Sequence, residues 1–179
     1  MLYMFFAQGF EEVEAIAALD VIRRAGIEIK SVGVGDKSVT GSHGITVICD
    51  DVDSDITVDG IDGVILPGGM PGTTNLYGCN KVHEVIDYCA DNGKLLSAIC
   101  AAPLILGRKG LLEGKNAVCF PGFEEELKGA FISENFVCTD GNVITAKGMG
   151  SAVNFGLAIV AYFKGQVFSD TLKASLQCS

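Results

Sequence analysis

The chain has 179 residues, 49% of them hydrophobic, with a formal net charge of −9 and a mean hydropathy of +0.38. Because phosphate backbones and anionic membranes attract positive charge, this acidic composition excludes nucleic acid and membrane surfaces as expected partners, and no apolar run approaches the ~20 residues of a membrane span. We expect one domain over residues 1–179 in a reducing cytoplasm, because the seven cysteines are odd in number and never spaced Cys-x-x-Cys, which disfavours a disulfide framework or zinc site.

Strand and helix patterns alternate along the chain. Leu2–Phe6 is predicted to be a first strand rather than a signal peptide, because no basic segment precedes it and three glutamates follow closely. A helix is predicted over 11–25, with acids in its first turn, Arg23 and Arg24 in its last, and Gly26 as its stop. The further predicted elements, in chain order, are a strand over 27–34, a turn over 41–44 and a strand over 45–49, a buried strand over 63–66, a helix over 80–92, a strand over 95–99, a helix from 102, a hairpin over 136–146, an apolar helix over 151–163 and a short helix after 169.

Continuous apolar strands between helices predict an α/β fold with a mostly parallel sheet covered on both faces. In such sheets ligands bind beyond the carboxyl ends of the strands. Three predicted strand ends meet there: Ala7–Phe10, Pro67–Gly69 and Cys100. This convergence predicts the position of the functional site.

Cys100 is the strongest candidate nucleophile. It ends the apolar run Leu95–Ile99 and directly precedes a predicted helix, so it lies at a sharp strand-to-helix turn flanked by the small residues Ala98 and Ala102. A helix N-terminus favours thiolate over thiol, so we expect an activated sulfur here. We interpret the other six cysteines as inert small hydrophobes.

Glu14 is the second candidate. An acid in a first helical turn often only complements the helix dipole, and this explanation suffices for Glu11 and Glu12. Glu14 lies between apolar neighbours, and a carboxyl directed into the core would have a raised pKa and could share a proton with a nearby thiolate. The residues alone leave both explanations open.

Weaker signals come from glycines and histidines. Pro67-Gly68-Gly69 is either an ordinary turn or a set of backbone donors facing Cys100. His43 lies in a turn that is able to reach the edge of a pocket, although a surface position is the simpler explanation, and His83 lies in a polar helix. Neither histidine can be assigned as a general base from its spacing.

Taken together, these segments resemble the ThiJ/PfpI family, within the class I glutamine amidotransferase-like superfamily, and specifically the branch that contains the Parkinsonism-associated deglycase. The resemblance covers nearly the whole chain and is specific because the matching segments occur in order. Those segments are Ala7–Glu14, Asp20–Gly26, Val64–Gly69, Ala98–Pro103 and Lys147–Gly150 continuing into Phe155–Val160.

The resemblance implies a flavodoxin-like three-layer sandwich and a homodimer. It assigns the nucleophile to Cys100, a protonated hydrogen-bonding carboxyl to Glu14, and backbone donors to Gly69 and Ala101. It implies that Cys100 oxidises readily to a sulfinate, as expected of an accessible thiolate. It also implies glyoxalase or deglycase activity with no cofactor and no metal, with redox-responsive chaperone and peptidase activities in some branches.

Two positions depart from the family pattern. Phe120 occupies the position at which some relatives carry a histidine close to the cysteine. An amidase or peptidase role is weakened, because no histidine at this position can protonate a leaving amine. His43 lies near where relatives carry an arginine beside the pocket. We expect His43, Phe120 and Arg24 at the pocket edge.

The leading hypothesis is an enzyme in which the Cys100 thiolate attacks a small reactive aldehyde such as methylglyoxal, Glu14 moves protons, and Gly69 and Ala101 hold the oxyanion. The alternative is a non-enzymatic redox sensor or stress-response chaperone that depends on oxidation of Cys100. An amidase or peptidase ranks third.

Overall fold

A computed structural model describes residues 1–178, and a seven-stranded sheet lies at its centre. The strands are β1 (Leu2–Phe6), β2 (Ile29–Gly33), β3 (Ser38–Thr40), β4 (Thr46–Ile48), β5 (Asp51–Val52), β6 (Gly63–Leu66), β7 (Leu95–Ile99), β8 (Asn116–Ala117), β9 (Phe131–Ile132), β10 (Val137–Asp140) and β11 (Val143–Ala146). The α-helices are α1 (Glu12–Arg24), α2 (Gly72–Tyr77), α3 (Asn80–Asp91), α4 (Pro103–Arg108), α5 (Ala152–Lys164) and α6 (Gln166–Ser175), with 3₁₀ turns over 53–55, 124–126 and 149–151.

The central sheet is parallel except at one edge. Its order is β10-β11-β7-β6-β1-β2-β5, and only the pairing of β10 with β11 is antiparallel. β3 and β4 form a separate antiparallel hairpin, and β8 pairs with β9. The strand order changes direction beside β1, so the carboxyl ends of β1, β6 and β7 open onto one crevice, where a ligand is expected in this type of sheet.

Each face of the sheet has its own apolar core, because side chains alternate along a strand. From β1, Leu2, Met4 and Phe6 pack against α1 and α5, whereas Tyr3 and Phe5 pack on the opposite face with α3 and α4. Helices therefore cover both faces of a mostly parallel sheet. This confirms the predicted α/β, flavodoxin-like architecture.

The predicted elements agree with the structure wherever the apolar pattern is continuous. The bounds of β6 and β7 are those predicted, and α1 begins one residue after Glu11, whose carboxylate accepts the backbone N–H of Glu14 at 2.7 Å. The short strands β8 and β9 were not predicted, since two-residue strands carry no periodicity. None of the helices within residues 1–178 combines the length and apolar character that a membrane crossing requires.

Candidate active site

Cys100 lies at a sharp bend between β7 and α4. Its φ is 65°, a left-handed conformation that residues other than glycine rarely adopt. Two backbone hydrogen bonds fix this bend: the Cys100 N–H donates to the Ala146 carbonyl at 2.9 Å, and the Phe120 N–H donates to the Cys100 carbonyl at 2.8 Å. An uncommon backbone conformation held this firmly is typical of a nucleophile elbow.

Glu14 lies next to this cysteine. Its side chain is almost fully buried, at 1% relative exposure, although α1 is open to solvent elsewhere. The Gly68 N–H donates to Glu14 Oε2 at 3.1 Å, the Met149 N–H also donates to the carboxylate, and the Cys100 side chain hydrogen bonds with it. The structure therefore brings together the two residues proposed as catalytic, although they are far apart in the sequence.

Gly68 permits this close approach. A Cβ at this position would lie 2.5 Å from Cys100 Cβ, 2.5 Å from Glu14 Oε2 and 2.9 Å from the Ile99 carbonyl oxygen. No side chain fits there without displacing the thiol or the acid. The sequence left Pro67-Gly68-Gly69 open as an ordinary turn or a set of backbone donors facing Cys100, and in the structure Gly68 packs directly against both Cys100 and Glu14.

Burial changes the proton affinity of Glu14. Desolvation raises the pKa of its carboxyl to about 7, and the hydrogen bonds from Cys100, Gly68 and Met149 oppose this only in part. A carboxyl that titrates near neutral pH can accept and return a proton with little driving force in either direction. It therefore has the proton affinity expected of a general acid-base group.

The thiol of Cys100 behaves differently from the sequence-based prediction. Burial and the neighbouring Glu14 carboxylate raise the pKa of the Cys100 thiol, and the N–H groups of Gly69 and Ala101, which lower it, do not compensate. The prediction that the turn alone favours thiolate is therefore wrong for the resting pair. Above the pKa of Glu14, the pair holds one negative charge and one proton, and transfer of that proton from sulfur to carboxylate creates the nucleophile.

Backbone donors flank the sulfur. The N–H groups of Gly69 and Ala101 both hydrogen bond with the Cys100 side chain. Gly69 has a φ of 89°, and a Cβ there would lie 2.4 Å from the backbone nitrogen of Glu11, so only glycine brings this N–H group to the thiol. Two N–H groups beside a nucleophile can also stabilise an oxyanion that develops on a bound carbonyl.

The residues predicted for the pocket edge have different positions. Phe120 lines a cavity of about 330 Å³ beside the site, together with the segment 147–151. Arg24 does not reach the site within the chain, because it lies ten residues along α1 from Glu14, about 15 Å at 1.5 Å per residue, and pairs with Asp20 at 2.6 Å.

His43 is exposed and hydrogen bonded to Glu12 rather than to Cys100 or Glu14. Its Nδ1 lies 3.0 Å from Glu12 Oε2, and its backbone N–H donates to Oε1 at 2.7 Å. Hydrogen bonds from His43 lower the pKa of the Glu12 carboxyl despite its burial. The role of Glu12 was missed in the sequence, because three glutamates share one helical turn and only the docking of the helix decides which of them faces which loop.

A candidate cation cluster lies at the same helix start. Among residues 1–178, ligand atoms of Glu11, Glu12 and His43 lie within 4.8 Å of one another. The Glu12 oxygens already accept hydrogen bonds from the His43 and Ile45 N–H groups, so their geometry is explained by holding the turn.

The other cysteines provide a useful contrast. All seven are free thiols. Cys89 is fully buried, and desolvation raises the pKa of its thiol to about 12, but its nearest charged groups are Lys94 and Asp62 rather than a buried carboxyl. Cys100 is only partly buried and has an acid beside it, so it is distinguished by its partner and by access.

Comparisons with known proteins point to one family. Residues 1–162 match the model of the DJ-1/PfpI family. Protein DJ-1 homolog B of Arabidopsis thaliana is 37% identical over 163 residues, which cover 89% of this chain and 37% of that relative. The chain therefore spans well under half the length of that relative.

Two further similarities cover nearly full lengths. Glutathione-independent glyoxalase DJR-1.2 of Caenorhabditis elegans is 30% identical over 164 residues, which cover 90% of this chain and 87% of that protein. The structure of oxidized DJ-1 from Toxoplasma gondii superposes with a TM-score of 0.95 at 29% identity, covering 99% of this chain and 98% of that one.

Proposed function

This chain belongs to the DJ-1/PfpI family, and we propose that it is a cofactor-independent glyoxalase that converts small 2-oxoaldehydes such as methylglyoxal into 2-hydroxy acids. The observation that carries the proposal is the hydrogen-bonded pair of a cysteine at an elbow and a buried acid with a pKa of about 7. The name of the Caenorhabditis elegans relative, a glutathione-independent glyoxalase, supports the same reaction class.

The first step joins sulfur to the aldehyde. The Glu14 carboxylate takes the thiol proton as Cys100 Sγ attacks the aldehyde carbon, and the carbonyl π electrons move to oxygen. The N–H groups of Gly69 and Ala101 stabilise that oxyanion, which then takes the proton from Glu14 to give a hemithioacetal. Glu14 therefore compensates for the raised pKa of the thiol at the moment of attack.

The second step is an internal oxidation and reduction. Glu14 removes the proton from the hemithioacetal carbon and returns one to the neighbouring ketone carbon through an enediol, so that the first carbon is oxidised and the second reduced. The product is a thioester of the 2-hydroxy acid, and water hydrolyses it to release the acid and restore the thiol. The sequence is redox-neutral overall and requires only water as co-reactant.

The test is turnover of methylglyoxal without glutathione, measured as lactate formed. We expect Cys100→Ala to abolish turnover and Glu14→Gln to lower kcat by about a hundredfold or more, since positioned proton transfer contributes roughly 10²–10⁴. Cys89→Ala is the matched control, because this thiol is also buried with a raised pKa but has no buried carboxyl hydrogen bonded to it. Equal lactate production by wild type and Cys100→Ala would refute the proposal.

Two neighbouring activities use the same nucleophile. Removal of early aldehyde adducts from proteins, a deglycase activity, requires attack of Cys100 on a carbon that already carries a substituent, and glycated peptides test it directly. Amidase or peptidase activity ranks last, because Phe120 cannot protonate a leaving amine.

The second candidate is a redox sensor or stress-response chaperone of a reducing cytoplasm. It is favoured by partial exposure of Cys100 beside a base and by the oxidized state named for the Toxoplasma gondii structure. Mild peroxide should add oxygen at Cys100 before Cys89, and Glu14→Ala should reduce that selectivity, as mass spectrometry of tryptic peptides can show. Oxidation spread evenly over the cysteines would contradict this role.

We also propose that the chain forms a homodimer through α1 and the β3–β4 hairpin. Ile16 and Ile48 are exposed apolar residues that share one groove between these elements, a surface suited to an isologous contact. Ile48→Lys should yield monomers by light scattering. Val167→Lys, which alters an exposed residue on α6, should leave the particle mass at that of the dimer.

A further inference from the structure

A mainly apolar cavity lies beside the catalytic pair. Its volume is about 330 Å³, and its wall is formed by Phe120, Pro121, Phe136 and the segment 147–151. The mechanism described above uses none of these side chains. The cavity is open to solvent, and its wall exposes 47% of Phe120, 68% of Phe136 and 55% of Met149.

The cavity shares its wall with the site. A Cβ on Gly148 would lie 3.2 Å from Phe120 Cδ2 and 3.8 Å from Glu14 Oε1, so this glycine borders both the ring in the cavity wall and the buried acid. The next N–H group, that of Met149, hydrogen bonds with the Glu14 carboxylate. The Phe120 N–H is bonded to the Cys100 carbonyl.

The polar groups of the wall are already engaged. Ser151 Oγ donates to the Gly148 carbonyl at 2.7 Å and accepts the Gly148 N–H at 3.2 Å. Lys147 Nζ lies 5.5 Å from the centre of the Phe136 ring, a cation–π contact. The groups that a ligand would meet here are therefore two aromatic rings, a proline and a methionine, which favour an apolar ligand.

The size of the cavity matches a ring better than a methyl group. A cavity of about 150 Å³ is enough to bind benzene in another protein, so about 330 Å³ accommodates a phenyl ring. A methyl group would leave most of this volume to water, and the exposed apolar wall would stay hydrated.

We propose that this cavity binds the substituent on the ketone carbon of the substrate and makes aromatic 2-oxoaldehydes, such as phenylglyoxal, preferred over methylglyoxal, with Phe120 as the specificity-determining residue. The inference rests on the proposed glyoxalase function. With the aldehyde carbon at Cys100 Sγ and the ketone carbon within reach of Glu14, a substituent directed past Gly148 enters the cavity, because Gly148 borders both Glu14 and the cavity wall.

The experiment compares kcat/KM for phenylglyoxal and methylglyoxal without glutathione in wild type, Phe120→Ala and Phe136→Ala. We expect wild type to favour phenylglyoxal by about tenfold or more, since apolar pocket contacts discriminate by roughly 10–200-fold. Both variants should lower the phenylglyoxal-to-methylglyoxal ratio severalfold. Phe131→Ala is the matched control, because Phe131 is an exposed phenylalanine on β9 away from the cavity wall, and its ratio should match wild type.

Acetophenone provides a second measurement that is independent of the aldehyde. It has the phenyl ketone but no aldehyde for Cys100 to attack, so we expect it to inhibit methylglyoxal turnover competitively, more weakly in Phe120→Ala, while acetone at the same concentration does not inhibit. Circular dichroism verifies that each variant is folded. If Phe120→Ala does not fold, the comparison between wild type and Phe136→Ala provides the test.

The outcomes separate the two proposals. Turnover of methylglyoxal with no preference for phenylglyoxal, or with a ratio unchanged in the folded Phe120 and Phe136 variants, overturns this inference and leaves the proposed function standing. Turnover of neither aldehyde overturns the proposed function and this inference with it. An aromatic preference that falls in the cavity variants and not in Phe131→Ala supports both.

Discussion

The buried acid should make folding stability depend on pH in a way that one substitution removes. Desolvation raises the pKa of Glu14 from its ordinary value of 4.5 to about 7 in the folded chain. The folded state therefore binds a proton more tightly than the unfolded state, and its stability falls as pH rises from about 4.5 through about 7. Glu14→Gln keeps the shape of the side chain and removes the titration.

The expected magnitude follows from the size of this change. Raising the pKa from 4.5 to about 7 corresponds to about 3 kcal/mol at 1.36 kcal/mol per unit, of which about 2 kcal/mol develops between pH 5.5 and 8.5. Because Glu14 is 1% exposed, solvent screening removes little of this effect. The free energy of unfolding of Glu14→Gln should rise by about 2 kcal/mol relative to that of wild type between pH 5.5 and 8.5, because the amide is neutral at both pH values.

The assay is urea unfolding of both proteins at pH 5.5 and 8.5 under reducing conditions. Titrating groups that do not contact Glu14 are common to the two proteins, so their effects cancel in the difference. The stability of wild type should decline with pH relative to Glu14→Gln. If the stabilities of the two proteins change in parallel between these pH values, Glu14 does not retain a proton in the folded state. That result would refute its role as the proton donor and acceptor of the mechanism.

Three further predictions address the same region. Gly68→Ala should destabilise the fold by about 1–3 kcal/mol in urea and lower turnover at least tenfold, since its Cβ would lie 2.5 Å from Glu14 Oε2, whereas Gly78→Ala, where the nearest atom is 3.6 Å away, should fold normally. For wild type, kcat/KM should rise with pH through about 7 as Glu14 becomes a base, and a flat profile from pH 5.5 to 8.5 would contradict this. Glu12→Ala should lower the free energy of unfolding by about 1–3 kcal/mol, because the His43 N–H loses the acceptor to which it donates at 2.7 Å. The same substitution should speed hydrogen exchange at the His43 amide, and unchanged exchange there would show that Glu12 does not hold the turn.

The parts of the fold that could be predicted depend on local pattern. β6 and β7 are continuous apolar runs bounded by polar or glycine-rich segments, and such runs have few alternatives other than a buried parallel strand. Cys100 could be located for the same reason, because it ends one of these runs. The family resemblance added the role of Glu14.

The remaining features arise from contacts between distant segments. Glu11, Glu12 and Glu14 share one helical turn, and the sequence does not show that one caps the helix, one holds the loop after β3 and one meets a thiol. The raised pKa of Cys100 depends on the balance of burial and the Glu14 carboxylate against two N–H donors, which is a property of the packed site. Arg24 was expected at the pocket edge, but within the chain it lies in the last turn of α1 and pairs with Asp20.

The left-handed backbone of Cys100 has an evolutionary consequence. At a φ of 65° a glycine would be more comfortable than any residue with a Cβ, by roughly 1 kcal/mol. A lineage that no longer needed the chemistry would therefore gain robustness by exchanging this cysteine for glycine. A cysteine at this bend therefore carries a small stability penalty, and relatives with glycine at the same position are expected to lack any activity that depends on the thiol.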